Sequence, residues 1–397
     1  MSKGETNDFS HWAIFPPEII ADILSRLPVK SLCRFKCVSP SWNFLISSPY
    51  FAQTHLNRTN ASNPKHLVRN IIFFCRSHDL YSVNLTADIP FATKIDFSKS
   101  LQQPPENKWA NVLGSCNGLL LASDKGNNSN FLLLNPSTRE CKKLPPLPFV
   151  IDLYMYGYGL GYDSSKDDYK VVLLSSCHTE SGSKSESQSE SSTLSGTTIV
   201  AVYSHKTNAW RRIKVIHCIL GLTSFGVNCN GRLHWLSFRG NSYVMVAFDW
   251  EDEIFREVPL PASFVHDDFA YYDVVIVGDC LCLVDKTRSV IWMMKEYGVR
   301  ASWTKILICR HNMRLLDVLG LFAEEEFVLN ITGKMIQDKL VVYNPTQRTL
   351  RGIPVRGIPT IFRFGGTYVE SLVSPHLCNH GGGIGKQGQS SSGMLEK

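Results

Sequence analysis

Residues 15–55 read FPPEIIADILSRLPVKSLCRFKCVSPSWNFLISSPYFAQTH, and this stretch decides how the rest of the chain is organised. Pro16 and Pro17 suit the first turn of a helix, where a missing N–H costs nothing. Glu18 sits in that turn, where negative charge meets the positive end of the helix dipole. Ile19, Ile20, Ile23, Leu24 and Leu27 follow at helical spacing and make one aliphatic stripe. Pro28 disfavours helical geometry at Leu27 and stops the helix there. Ser31 is placed to cap a second short helix carrying Leu32, Phe35 and Val38. Ser39-Pro40 is a cap followed by proline at the first helical position. It opens a third helix with Trp42, Leu45 and Ile46 on one face, and Pro49 ends it.

Three helices in about forty residues cannot bury all these side chains among themselves, because domains this small are marginal alone. The surplus apolar surface has two readings. It seats a standing partner, or it caps the chain's own downstream domain.

The residues themselves favour the partner. The segment resembles the F-box, the motif that binds the Skp-type adaptor of cullin–RING ubiquitin ligases. The resemblance runs through Pro16, Glu18-Ile19-Ile20, Ile23-Leu24, Leu27-Pro28-Val29-Lys30-Ser31-Leu32, Arg34-Phe35, Cys37-Val38-Ser39, Trp42, Leu45-Ile46, Pro49, Phe51 and His55. RLPVKSL followed by CVSxSW is typical of the large plant F-box families. Phe15 stands where leucine is usual and keeps the apolar anchor. Pro40 stands where a basic residue is common and fits a first-turn position. The resemblance implies that Pro16, Leu24, Leu27, Pro28, Leu32, Phe35, Val38, Trp42 and Ile46 face the adaptor. Some of them must instead hold the helices together, and sequence does not separate the groups.

Past the helices, short β-rich runs alternate with Gly, Asn, Asp and Pro punctuation. One order recurs: a turn glycine, a short apolar strand, a longer one, a polar turn, then a strand ending near Leu/Val/Ile-Pro. Units cover residues 115–145, 158–213, 228–259, 274–307 and 326–354. The turns Asn135-Pro136-Ser137-Thr138-Arg139 and Asn344-Pro345-Thr346-Gln347-Arg348 align. A period of about 40–60 residues means a propeller or array. Four-stranded units cannot bury both faces alone, and radial stacking protects their edges. Residues 71–85 and 367–374 look like half-units that share one blade and close the ring. Five to seven blades fit, with an open pair of β-sandwiches as the other arrangement. The region resembles the kelch-type, plant F-box-associated domain. The double glycine of kelch repeats is absent from the units; Gly365-Gly366 falls outside the frame.

The fold class expected is therefore α+β multidomain, a small N-terminal three-helix F-box before an all-β kelch-like β-propeller. The boundaries read as a flexible N-terminus (1–12), the F-box (13–58), the propeller (59–378) and a disordered tail (379–397). Residues 179–198, TESGSKSESQSESSTLSGTT, form a Ser-rich insert too poor in apolar residues to offset its ordering entropy.

Bulk properties agree with an ordinary globular protein: 397 residues, 44% hydrophobic, 19% charged. A net charge of +6 spread along the chain gives no reason to expect nucleic acid. The first ten residues are polar, and no run approaches the roughly 18 apolar residues of a membrane span. We expect no membrane partner, a cytoplasmic and/or nuclear location, and twelve mostly reduced cysteines. With no C-x-x-C pair, a zinc ribbon is not expected.

Chemical motifs fall away on inspection. GYGLGYD around Gly157, Gly159 and Gly161 has Tyr162 where a dinucleotide loop needs its third glycine. GIGKQ around Lys386 lacks the Ser/Thr of a phosphate loop. His234 and His266 read as core or surface histidines in turns, and Arg211-Arg212 beside Trp210 as a basic blade rim. G-x-S-x-G is absent. No catalytic residue, metal or cofactor is expected.

The resemblance implies a substrate-recognition subunit of a Skp–cullin–F-box ubiquitin ligase, not itself an enzyme. It would hold the adaptor, and through it the cullin and RING subunits, at one end and an unidentified protein target at the other. An F-box protein acting outside the ligase, as a binding partner or regulator, is the alternative. A propeller enzyme with a helical cap would need a metal-ready polar cluster at the axis. Residues 147–158, 220–225, 261–272 and 310–321 are the loops read as target-facing.

Overall fold

Among the described residues, one five-residue turn recurs six times. Asn135, Asp163, Ser204, Asp249, Asp285 and Asn344 each open it, and the fifth residue (Arg139, Asp167, Asn208, Glu253, Ser289 and Arg348) takes a left-handed φ between 51° and 60°. The opening side chain supplies the reason. Its oxygen accepts a backbone N–H two or three residues on: Ser137 at 2.8 Å, Ser165 at 3.0 Å, Thr207 at 3.2 Å, Glu251 at 3.1 Å, Arg288 at 2.8 Å and Gln347 at 2.9 Å. Short Asx and Ser side chains mimic the backbone in this way. Two tighter hairpins use Asn117-Gly118 and Asn230-Gly231, both residues at positive φ, which the two-residue primed turn requires.

These turns organise a computed structural model of the chain that describes residues 16–63, 66–75, 79–97, 100, 109–124, 127–148, 155–177, 197–216, 225–239, 242–264, 271–308, 314–323, 325–332, 338–358 and 362–376. Four helices come first: α1 (Pro17–Leu24), α2 (Val29–Phe35), α3 (Pro40–Ser47) and α4 (Pro49–Ala61). Six four-stranded antiparallel sheets follow. Blade one holds β1 (Asn70–Cys75), β2 (Leu80–Asn84) and β3 (Thr93–Ile95). Blade two holds β4 (Trp109–Cys116), β5 (Leu119–Asp124), β6 (Asn127–Asn135) and β7 (Glu140–Lys143). Blade three holds β8 (Met155–Asp163), β9 (Asp168–Cys177), β10 (Thr197–Ser204) and β11 (Ala209–Ile216). Blade four holds β12 (Val227–Cys229), β13 (Arg232–Arg239), β14 (Ser242–Asp249) and β15 (Phe255–Val258). Blade five holds β16 (Tyr272–Val277), β17 (Cys280–Asp285), β18 (Val290–Met294) and β19 (Trp303–Leu307). Blade six holds β20 (Arg314–Ala323), β21 (Glu326–Thr332), β22 (Asp338–Asn344) and β23 (Thr349–Gly352). The last strand, β24 (Phe362–Tyr368), pairs antiparallel with β1, Asn70 opposite Tyr368 and Cys75 opposite Phe362.

The chain is thus a six-bladed propeller closed by strands from its two ends, as the half-units anticipated. The closing strand lies earlier than expected. Only Thr367 and Tyr368 of residues 367–374 are strand, and Gly365-Gly366 are inside it, where a side chain at Gly365 would press on Phe74 and Ile72. The helical expectations shift in three places. α1 ends at Leu24, three residues before the Leu27 stop expected from Pro28, so Leu27 lies in the turn to α2. α2 starts at Val29, directly behind Pro28, so Ser31 is inside it and caps nothing, and Val38 falls in the link to α3. Ser39 caps α3 as read, accepting from Trp42 N at 3.2 Å. The same device recurs where the helices were expected to end: Ser48 accepts from Phe51 N at 3.2 Å, and Ser48-Pro49 opens a fourth helix. Of the Ser-rich insert, Thr197 and Thr198 are the start of β10; residues 178–196 lie outside the described residues, as do 1–15 and the tail from 377.

The core is a ring of six apolar layers, one at each junction between blades. Val171 and Leu173 face blade two, with Leu119, Leu121, Phe131 and Leu133, while Val172 and Leu174 face blade four, with Leu233, Trp235 and Phe248. Both faces of such a strand are covered. That is why runs such as CLCLVD and VIWMM are apolar without alternation. The glycines of GYGLGYD serve this layering. A Cβ at Gly159 would overlap Leu233, and one at Gly161 would overlap the Trp250 indole of the next blade. Gly161→Ala is therefore expected to overpack this junction and cost about 1–3 kcal/mol. A lowered urea midpoint checks it.

Candidate protein-docking site

Ring closure decides where the helices sit. In each blade the turn after the first strand and the turn after the third lie on one edge of the ring, and the remaining connections on the other. Because β24 and β1 come from the two chain ends, both ends leave on the first edge. The helices follow them there. Leu56 of α4 joins the apolar layer between blades two and three. Leu372, just past β24, is buried among Leu24, Val29, Leu32, Ile46, Phe51 and Ala52. Asn135, fully buried in the blade-two turn, donates to the carbonyls of Ser371 (3.0 Å) and Val373 (2.7 Å). His66 pairs with Asp279 at 3.0 Å, and Val68 N donates to Leu321 O at 2.7 Å beneath blades five and six.

Polar ties hold the helices to one another. His55 Nε2 lies 2.9 Å from the Leu27 carbonyl, which fixes α4 against the turn between α1 and α2. Arg58 reaches the Asp22 carboxylate at 2.8 Å and also bonds Ser25 Oγ. Hydrogen bonds from Arg58 and then Arg26 hold the Asp22 carboxyl below the usual carboxylate range. Phe35 and Trp42 meet edge to face at 5.7 Å, joining α2 to α3.

With the helices docked and tied, an apolar face is still open. At 100° per residue, Ile19, Ile23, Ile20 and Leu24 fan across about 140° of α1 in that order. Exposure falls along the fan, from 47% and 50% at Ile19 and Ile23, through half-buried Ile20, to 2% at Leu24. Val38 is 60% exposed, and Phe44 and Tyr50 are more open still. Pro40, Asn43, Phe44, Ser47 and Ser48 line a shallow depression beside α4.

The nine residues expected at the adaptor divide by burial. Pro16, Pro28 and Val38 are exposed; Leu27, Phe35 and Trp42 are half-buried; Leu24, Leu32 and Ile46 are interior. The last three pack around Leu372 and the other helices, so their work is internal. Ile19, Ile23 and Phe44 have the exposure those three lack. The signal for the two isoleucines was the width of the α1 stripe, since a face so broad cannot all turn inward; nothing in the sequence singled out Phe44 on α3.

The other motifs have structural roles. His234 is fully buried on β13, not in a turn. Its ring meets Tyr297 OH at 2.7 Å, and burial lowers its pKa to about 4. Arg211 pairs with Glu253, and Trp210 Nε1 donates to Pro145 O at 2.7 Å. His266 lies outside the described residues. Burial pushes the thiols of Cys116 and Cys141 up to about 12, so neither is a thiolate nucleophile at neutral pH. Among the described residues no group of three His, Cys, Asp or Glu side chains is placed to hold a metal ion, and no helix is long and apolar enough to cross a membrane.

Comparison with known proteins follows the same division of the chain. The model of the F-box domain matches residues 12–54, and that of the F-box associated beta propeller domain matches residues 71–373. F-box protein CPR1 of Arabidopsis thaliana is 33% identical over 322 residues, which cover 74% of this chain and 72% of the relative. An F-box/kelch-repeat protein of the same plant is 29% identical over 315 residues, covering 74% and 78%. Among solved structures, TolB from Acinetobacter baumannii overlays 80% of this chain and 72% of its own with a TM-score of 0.47 at 9% identity.

Proposed function

The chain belongs to the family of F-box proteins that carry an F-box associated beta propeller domain, and on that premise we propose that it is the substrate-recognition subunit of a Skp–cullin–F-box ubiquitin ligase. The observation that carries this reading is the open face on a docked module. The helices sit on the propeller through Leu56, Leu372 and the Asn135 bonds, yet leave Ile19, Ile23, Val38 and Phe44 in water. A module that only capped its own propeller would have no use for that face. A Skp-type adaptor covers it, and the cullin and RING subunits follow through the adaptor. In this reading residues 13–58 are the docking arm and 59–378 the target-holding body, kelch-like in the manner of the F-box/kelch-repeat relative, in the cytoplasm and/or nucleus.

The protein then performs no bond chemistry of its own. It raises the local concentration of a bound target beside the ubiquitin-loaded enzyme, converting a bimolecular encounter into an effectively intramolecular one. The described ends of three of the loops read as target-facing (147–148, 225, and 261–264 with 271) follow an outermost strand or precede an innermost one, on the edge away from the helices. Of residues 310–321, those from Arg314 onward are strand β20, which begins on that same edge. The middles of these connections (149–154, 217–224, 265–270 and 309–313) lie outside the described residues.

The test is direct. Leu27→Ala with Pro28→Ala should weaken adaptor binding at least tenfold in a titration with purified adaptor. Normal retention by the double variant would count against the assignment. Co-purification of the cullin and RING subunits with the wild-type protein separates a ligase subunit from an F-box protein working outside the ligase.

A further inference from the structure

We propose that the mouth of the propeller axis on the edge away from the helices is the seat of the target, and that it takes an acidic protein segment bearing an apolar side chain next to its carboxylate. The proposal rests on the substrate-receptor reading for the word target, and on the geometry of the mouth for the chemistry.

Three successive innermost strands present a side chain where they begin at this mouth. Phe225 precedes β12, Tyr271 precedes β16, and Arg314 is the first residue of β20. Phe225 is 45% exposed and Tyr271 66%. The Arg314 guanidinium lies 5.9 Å from the centre of the Tyr271 ring, and it is exposed too. An arginine held on an aromatic face keeps its donor edge free for a carboxylate, and the ring limits how far it wanders.

The neighbouring charges leave Arg314 to a visitor. Asp273 and Asp317 both bind Lys286, at 2.5 Å and 3.3 Å, and Asp317 also accepts from Asn330 at 3.0 Å. Asp285 is bound by Arg288 at 2.9 Å. Among the described residues no carboxylate comes within ion-pair distance of Arg314. The charge left for a partner is therefore a cation, and it stands over the solvent-exposed Tyr271 ring, with Phe225 exposed at the start of the innermost strand one blade before Tyr271. The platform is set in advance. Tyr271 N donates to Thr287 Oγ1 at 3.0 Å, and its carbonyl accepts from Lys286 N at 2.9 Å, so little backbone entropy remains to be lost on binding. Tyrosine and arginine are also the residues that most often dominate binding energy in protein interfaces. Arg314, unpaired among the described residues, suits one carboxylate. It does not supply the row of cations that a nucleic-acid backbone needs.

A displayed library of random twelve-residue peptides, panned on the full-length protein, tests this. Enriched peptides should carry Asp or Glu within two positions of a Phe, Leu, Tyr or Trp. Their affinity, read by fluorescence anisotropy on synthetic copies, should fall at least tenfold in Arg314→Glu and in Tyr271→Ala, with Arg314→Lys in between. Both positions are exposed, so melting temperatures should stay within a degree or two of wild type. No enrichment, enrichment of neutral or basic peptides, affinity indifferent to Arg314→Glu, or displacement of the peptides by single-stranded oligothymidine would each overturn the proposal. Adaptor titrations on the same proteins keep the two readings apart. Adaptor binding should be intact in every mouth variant, and a wild-type protein that ignored the adaptor would sink the ligase reading without touching the peptide result.

Discussion

Replacing Lys170 with methionine is expected to destabilise the protein by about 3–5 kcal/mol, the usual penalty for stranding one member of a buried ion pair. Lys170 lies on β9 with 3% of its side chain exposed. Its Nζ reaches Asp163 Oδ2 at 2.6 Å, Glu253 Oε1 at 2.8 Å and the Trp250 carbonyl at 3.0 Å. Asp163 belongs to blade three, whereas Trp250 and Glu253 belong to the outer turn of blade four, so one ammonium group bolts two blades together. Methionine keeps the length of the stem and removes the ammonium group, with its charge and its hydrogen bonds. Asp163, with no exposed side-chain surface, then faces Trp250 with its main counter-ion gone.

The pH dependence follows from the same contacts. Burial raises the Asp163 pKa, but the hydrogen bonds from Lys170, Ser165 and Lys166 N outweigh it and hold the carboxyl far below the usual range. Burial likewise opposes the charge of Glu253, and Arg211 and Lys170 reverse it, so its pKa is lowered too. A lowered folded-state pKa gives stability that is present above the unfolded value, about 4, and lost as pH falls through the folded value. Lys170→Met lets the Asp163 pKa rise. The gap between wild type and variant should be widest near neutral pH and shrink across the carboxylate range, below about pH 5. Urea midpoints at several pH values check this, and a gap that stayed constant would rule out the electrostatic account. Adding Asp163→Leu should recover part of the loss, because the stranded charge is then gone.

Lys170 also marks where the sequence stops being legible. A lone lysine at the head of YKVVLL signals something unusual, but its partner Glu253 is 83 residues away. Nothing local names that partner. Features whose cause is local were readable. Ser39-Pro40 caps α3 because the serine oxygen needs only the N–H three residues on. The Asn and Asp turns recur for the same reason, and ring closure followed from finding half a blade at each end. Ser31 was misread because a serine near an apolar run looks like a cap, while Pro28 had already started the helix. His234 was placed in a turn, but β13 is covered on both faces from Leu233 to Ser237, so a histidine between Leu233 and Trp235 lies in the core. On α1, sequence gave the stripe but not which edge is covered. That depends on Leu372, which lies more than three hundred residues downstream.

The open edge of α1 carries the second large prediction. Ile19→Asp with Ile23→Asp should reduce adaptor affinity at least a hundredfold, about 2.7 kcal/mol, with no loss of melting temperature. Each isoleucine already shows about half its surface to water in the isolated protein, so the folded chain loses little when either becomes polar. The complex loses twice. Covering the remaining half of two isoleucines is worth about 1 kcal/mol apiece, and an aspartate carried into the same apolar seat adds a desolvation penalty. Ile19→Lys with Ile23→Lys should do as much harm, because the cause is lost apolar burial and not the sign of the charge. Leu24→Ala is the contrasting variant. At 2% exposure it sits in the layer with Leu32, Ile46 and Leu372, and its truncation should lower stability by about 2–5 kcal/mol. Its effect on the adaptor would then come through unfolding of the helices, not through a lost contact. The two kinds of variant are told apart by titrating adaptor well below their melting temperatures. There the Leu24→Ala protein should still bind and the double aspartate should not. If the double aspartate bound like wild type, the adaptor would have to approach by another surface, and the face left open on α1 would need a different occupant.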